Sequence, residues 1–68
     1  MTEIALRGDH ITLGQLLKLV GAAGTGGDTK RFLEGTAIKV NGETENRRGR
    51  KLRRGDEVRW NGEAVRLV

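Results

Sequence analysis

The apolar residues of this chain change period partway along, and that change constrains the fold more than any other feature. Leu13, Leu16, Leu17 and Val20 recur at i, i+3, i+4 and i+7, one stripe of a helix, with Gln15 and Lys18 pointing off it. From Ala37 onward the period is two, with Ile38 and Val40 alternating with Lys39, then Glu57-Val58-Arg59-Trp60 and Ala64-Val65-Arg66-Leu67 alternating in the same way. The chain has 68 residues, and a chain of that length buries only about 60% of its unfolded surface, so both halves share one core and residues 1–68 form a single domain.

Punctuation fits this division. Thr2 to Arg7 alternates, with Ile4 and Leu6 on one face and Glu3 and Arg7 on the other, which predicts a short strand. Thr12 followed by Gln15 matches a capping box and predicts a helix start, with Gly21 as its left-handed end. The glycine-rich residues 21–27 predict a loop. Asp28 is then expected as the cap of a second helix from Thr29 to about Glu34, with Phe32 and Leu33 inward and Gly35 ending it. Asn41-Gly42 and Asn61-Gly62 predict tight turns, the second joining two strands as a hairpin. The two Asn-Gly-Glu triplets share turn chemistry and do not make a repeat.

The charge has an address. Arg47-Arg48-Gly49-Arg50-Lys51-Leu52-Arg53-Arg54 holds six basic residues and no acid, while the other sixty residues carry seven basic and nine acidic ones. A cationic patch on a mildly acidic body predicts attraction to a polyanion, and arginine, five of the six, suits planar two-point contacts with phosphate. Leu52 is expected to pin this segment to the core, with Gly55-Asp56 turning into the next strand and the six cations facing solvent. The run alone does not separate RNA from DNA or from an acidic membrane surface.

Other functions fare badly. The chain has no Ser, Cys or Tyr and one His, which removes the usual nucleophiles and most acid–base partners, so no catalytic residue is expected. His10, beside Asp9 in a turn, is given no role. With no cysteine there is neither a disulfide nor a thiolate metal site; no metal and no cofactor are expected, and a reducing compartment fits. Residues 21–28 lack the Gly-Lys-Ser/Thr ending of a nucleotide-binding loop, and residues 24–29 miss the last glycine of the dinucleotide fingerprint. A phosphate at the start of the second helix, near Lys30 and Arg31, is as consistent with that loop as a plain turn is. Leu16 to Ala23 is interrupted by Lys18 and Gly21, so neither an export signal nor a membrane span is indicated and a cytoplasmic protein is expected. Phe32 and Trp60, the only aromatics, are assigned to the core, which argues against single-strand binding by base stacking and favours recognition of shape and phosphate in folded RNA.

The order of features over residues 11–58 resembles the S4-type RNA-binding domain, or alpha-L motif. The resemblance is carried by residues 11–18 (Ile-Thr-Leu-Gly-Gln-Leu-Leu-Lys), 26–30 (Gly-Gly-Asp-Thr-Lys), 35–43 (Gly-Thr-Ala-Ile-Lys-Val-Asn-Gly-Glu) and 48–58 (Arg-Gly-Arg-Lys-Leu-Arg-Arg-Gly-Asp-Glu-Val). The chain is most similar to the small stand-alone bacterial members. The resemblance implies an α+β fold, two short packed helices against a small curved, mainly antiparallel sheet, with RNA lying across the helix pair and the adjoining loops. It carries Lys18, Lys30 and Arg31 into the contact surface with Arg47, Arg48, Arg50, Lys51, Arg53 and Arg54. Relatives that bear this domain on a pseudouridine synthase or an aminoacyl-tRNA synthetase have a catalytic domain that this chain lacks, so binding alone is expected. The expected ligand is structured RNA, ribosomal RNA foremost and during ribosome assembly, bound by a monomer. The alternative is a protein-interaction module whose basic loop docks on an acidic ribosomal or assembly protein; non-specific DNA binding ranks below both.

Overall fold

The computed structural model describes residues 1–24 and 26–68. Its elements run β1 (Thr2–Ile4), β2 (Ile11–Thr12), α1 (Leu13–Leu19), α2 (Gly26–Gly35), β3 (Lys39–Val40), β4 (Glu43–Thr44), β5 (Lys51–Leu52), β6 (Glu57–Trp60) and β7 (Glu63–Leu67). Five strands form one sheet in the order β1-β7-β6-β3-β4, and β2 and β5 form a separate pair. Every pairing is antiparallel except β1 with β7, which places Thr2 opposite Val65 and Ile4 opposite Leu67. This is the expected mainly antiparallel α+β architecture.

Local chemistry explains the boundaries of α1. The Thr12 hydroxyl accepts from the Gln15 amide at 3.2 Å and the Gln15 side chain accepts from the Thr12 amide at 2.9 Å, the reciprocal capping box. At the other end Gly21, at φ +79°, donates to the Lys18 carbonyl at 3.1 Å while Ala22 donates to that of Leu17 at 2.9 Å. That bond pair is the Schellman closure, which needs a left-handed residue and therefore favours glycine. The two hairpins turn at Asn41-Gly42 and Asn61-Gly62, where Asn41 and Asn61 take φ of 53° and 45°.

The second helix departs from expectation. It begins at Gly26, so Asp28 lies in its first turn rather than capping it. Glycine disfavours a helix by only about 1 kcal/mol per residue, and packing of Thr29 and Leu33, both buried, outweighs that. The loop expected over residues 21–27 therefore holds for 21–24, gives way to helix at Gly26 and Gly27, and at Thr25 lies outside the described residues.

One core joins all layers. Leu13, Leu16 and Leu17 of α1 and Leu33 of α2 meet Val40, Val58, Trp60, Val65 and Leu67 from the sheet and Ile38 just ahead of β3. Leu52, fully buried and paired with Ile11 across β2–β5, pins the basic segment to that core as expected. Phe32 is half-buried and meets the buried Trp60 edge-on, with ring centroids 6.4 Å apart at 83°.

Candidate nucleic-acid interface

The basic run 47–54, which spans the end of the β4–β5 connection, β5 and the turn after it, holds six of the thirteen Lys and Arg residues, and left to itself it would repel itself apart. Three contacts hold it. The first is the start of α1, whose unsatisfied amides take carbonyls of the loop: Leu13 donates to the Arg50 carbonyl and Gly14 to that of Arg48, both at 2.9 Å. The second is the absence of a side chain at Gly14. A Cβ there would lie 3.2 Å from Arg48 Cβ, 3.3 Å from the Arg48 carbonyl oxygen and 3.4 Å from Thr29 Cγ2, so α1, α2 and the loop converge where only glycine fits without displacement.

The third contact is Glu45, a carboxylate that is only 7% exposed. Its Oε2 accepts from the amides of Asn46 and Arg47 and from Arg47 Nε, each at 3.1 Å. Its Oε1 accepts from Arg47 Nη2 at 3.0 Å and from Arg50 Nη1 at 2.9 Å. The Arg47 hydrogen bonds, and after them that of Arg50, hold the Glu45 carboxyl at about 2, overcoming the opposing effect of burial. Arg47 is gripped in two-point fashion yet stays 73% exposed, so the rest of its guanidinium faces water. Glu45 was not singled out from sequence, although an acid two and five positions ahead of arginines in a loop is a usable signal for such a clamp.

Three shallow grooves adjoin around this loop. One is lined by Thr12, Gly14, Gln15, Lys18 and Thr29 together with Arg48 and Gly49. The next is lined by Lys30, Leu33 and Glu34 of α2 with Asn46 and Arg48. The third is lined by Arg47, Gly49, Arg50, Lys51 and Arg53. Arg48 is common to the first two and Gly49 to the first and third, so the grooves form one surface.

The structure thus brings together seven of the nine expected contact residues: Lys18, Lys30, Arg47, Arg48, Arg50, Lys51 and Arg53. Glu34 is the single acid among the lining residues. Arg31 is exposed on α2 but lines none of the three grooves. Arg54 is also exposed, and its guanidinium donates to the carbonyls of Leu6 at 2.8 Å and Gly8 at 3.1 Å. The picture of six cations all free in solvent is therefore modified: Arg47 and Arg50 share Glu45, Arg50 is half-buried, and Arg54 braces the chain after β1. The side chains of Lys18, Lys30, Arg48, Lys51 and Arg53 have no hydrogen bond or ion pair with another described residue.

Outside this surface two cations, Arg59 and Arg66, are neutralised by one acid. Glu57 accepts from Arg59 Nε at 2.7 Å and Arg66 Nη2 at 3.2 Å on the sheet, and those hydrogen bonds, that of Arg59 foremost, lower its pKa. Asp28 stands as an acid in the first turn of α2, ahead of Lys30 and Arg31. Among the described residues no three of His, Cys, Asp and Glu gather as a metal site, and no helix is long and apolar enough to cross a membrane.

Two helices over a mixed sheet, with a basic loop clamped to the start of the first helix, define the class. The chain belongs to the S4 domain family, which matches residues 4–68 and so extends past the 11–58 span of the resemblance. It is also similar to the probable ribosome maturation protein RlbA of Bacillus subtilis (strain 168), with 48% identity over 59 residues, covering 87% of this chain and 83% of the relative.

Proposed function

We propose that this protein binds structured RNA without catalysis, ribosomal RNA foremost, by laying phosphates across the joined grooves. The observation that carries this reading is the convergence of seven cationic side chains from α1, α2 and the basic loop on one surface whose lining includes a single acid. Separate elements presenting charge at separate points suit a folded backbone better than an extended strand, and the two aromatics are engaged with each other rather than offered to bases. The Bacillus relative is a probable ribosome maturation protein, which supports an RNA of the ribosome as the ligand. On this reading the protein works in the cytoplasm, as a monomer beside assembling particles.

Replacing Arg47, Arg48, Arg50 and Lys51 together with Gln is the test. It abolishes binding to purified ribosomal RNA while the circular dichroism spectrum is retained. Undiminished RNA binding, with loss of a protein from pull-downs, overturns this reading in favour of a protein-docking module. Equal affinity for duplex DNA and ribosomal RNA at matched salt overturns the preference for RNA.

A further inference from the structure

We propose that Glu45 is a positioning residue for this surface: by gripping Arg47 and Arg50 it orders them for phosphate, so that removing this acid from a basic surface weakens RNA binding instead of strengthening it. The inference rests on the RNA reading above, and its sign runs against simple electrostatics. A carboxylate beside phosphates repels them, and deleting it raises the net charge of the surface by one, which by attraction alone tightens binding.

Geometry argues the other way. Glu45 is buried at the foot of the loop, so little of its charge meets a ligand in solvent, while its two partners reach outward from it. Both carboxylate oxygens are occupied, one by three donors and the other by two guanidinium nitrogens. Two of those donors are the amides of Asn46 and Arg47, so the same carboxylate shapes the turn from which Arg47 and Arg48 project. Without it two long side chains lose their shared anchor and must be ordered at the moment of binding, at a cost that corresponds to about tenfold in affinity.

Glu34 supplies the control. It lines the same surface, it carries the same charge, and its carboxylate has no hydrogen bond or ion pair with another described residue. Glu34→Gln therefore changes charge without releasing a guanidinium and tightens binding. Glu45→Gln weakens it about tenfold.

The experiment measures affinity for fragmented, purified ribosomal RNA at fixed salt for wild type, E34Q, E45Q, the R47Q/R50Q pair, and the triple variant that adds E45Q to that pair. Nε–H signals of Arg47 are recorded by NMR in the free proteins. The expected result is a loss with E45Q in the wild-type background and none in the R47Q/R50Q background, because the glutamine oxygen can still accept from the Asn46 and Arg47 amides and only the grip on the two guanidinium groups is lost. A general loss of fold would instead appear equally in both. Binding that tightens with E45Q as it does with E34Q, or an equal loss in both backgrounds, overturns the proposal.

Should E45Q unfold, Arg47→Lys carries the test: it keeps the charge and loses the two-point grip, and several-fold weaker binding is expected, while unchanged affinity overturns the role of the grip. If wild type retains no RNA, or R47Q/R50Q costs no affinity, the RNA reading itself fails and the proposal with it. A protected Arg47 Nε–H that E45Q abolishes then still shows the clamp to exist, which separates that failure from a clamp that never forms.

Discussion

Gly14→Ala puts one methyl group into the joint between α1, α2 and the basic loop. The new Cβ would lie 3.2 Å from Arg48 Cβ and 3.3 Å from the Arg48 carbonyl oxygen, inside ordinary van der Waals contact, so the loop must withdraw by a few tenths of an ångström. That carbonyl is also the acceptor of the Gly14 amide at 2.9 Å, so withdrawal stretches a bond that satisfies a helix-end donor. Overpacking of this kind costs about 2 kcal/mol, the middle of a range of about 1–3, and the better helix propensity of alanine returns up to about 1, leaving a net loss of about 1–2 kcal/mol. For a domain of this size the melting temperature falls by about 4–16 °C. Thermal and urea unfolding measure the loss, and hydrogen exchange at the Gly14 amide reports the joint directly, with faster exchange expected. Because Arg48 lines two of the three grooves, RNA affinity falls as well. A Gly14→Ala protein as stable as wild type, with the Gly14 amide equally protected, would refute the close approach as a constraint.

Three further outcomes are expected. Glu45 is held at about 2 when folded, below its ordinary 4.5, so its stabilisation is complete above about pH 4.5 and is lost as pH falls from there towards 2. Glu45→Gln is thus less stable than wild type at neutral pH, by about 2 kcal/mol, and the gap closes in acid; subtracting the two curves cancels the same-signed contribution of Glu57. Gly21→Ala forces a Cβ into the left-handed closure of α1 at φ +79° and lowers stability by about 1 kcal/mol in urea unfolding. RNA affinity falls steeply with salt, with a log–log slope of roughly −3 to −5 if about four to six phosphates are neutralised, and a flat response in a filter-binding series counts against phosphate contacts.

What was legible in the sequence is what local chemistry decides. The Thr12–Gln15 box, the glycine closure at Gly21 and both Asn-Gly turns involve residues within a few positions of one another, and each stands where expected. Leu52 was legible for a related reason, as the one large apolar residue in a charged run. The start of α2 was not, because Asp28 suits a cap and a first turn alike, and packing of Thr29 and Leu33 decides between them. Nor was the parallel pairing of β1 with β7, since alternation marks a strand without naming its partner. Charge was visible but its distribution between partners was not: Arg54 stands in the basic run, yet carbonyls 46 and 48 residues earlier engage it.

The proposed binding surface and the fold share the same fastenings, at one corner of the molecule. The basic loop has no helix or long strand of its own; its carbonyls complete the start of α1, and its arginines complete a buried carboxylate. Each group satisfies a polar atom that would otherwise be orphaned, so the loop is ordered by the needs of its neighbours rather than by its own propensity. Opening of the first turn of α1 would release the Arg48 and Arg50 carbonyls and loosen that end of the loop, and hydrogen exchange at the Leu13 and Gly14 amides faster than in the sheet is the expected sign of it. Substitutions at Thr12, Gly14 or Glu45 are expected to reduce RNA affinity by more than their effect on global stability, whereas equal damage to the far hairpin, at Asn61 or Gly62, acts through stability alone.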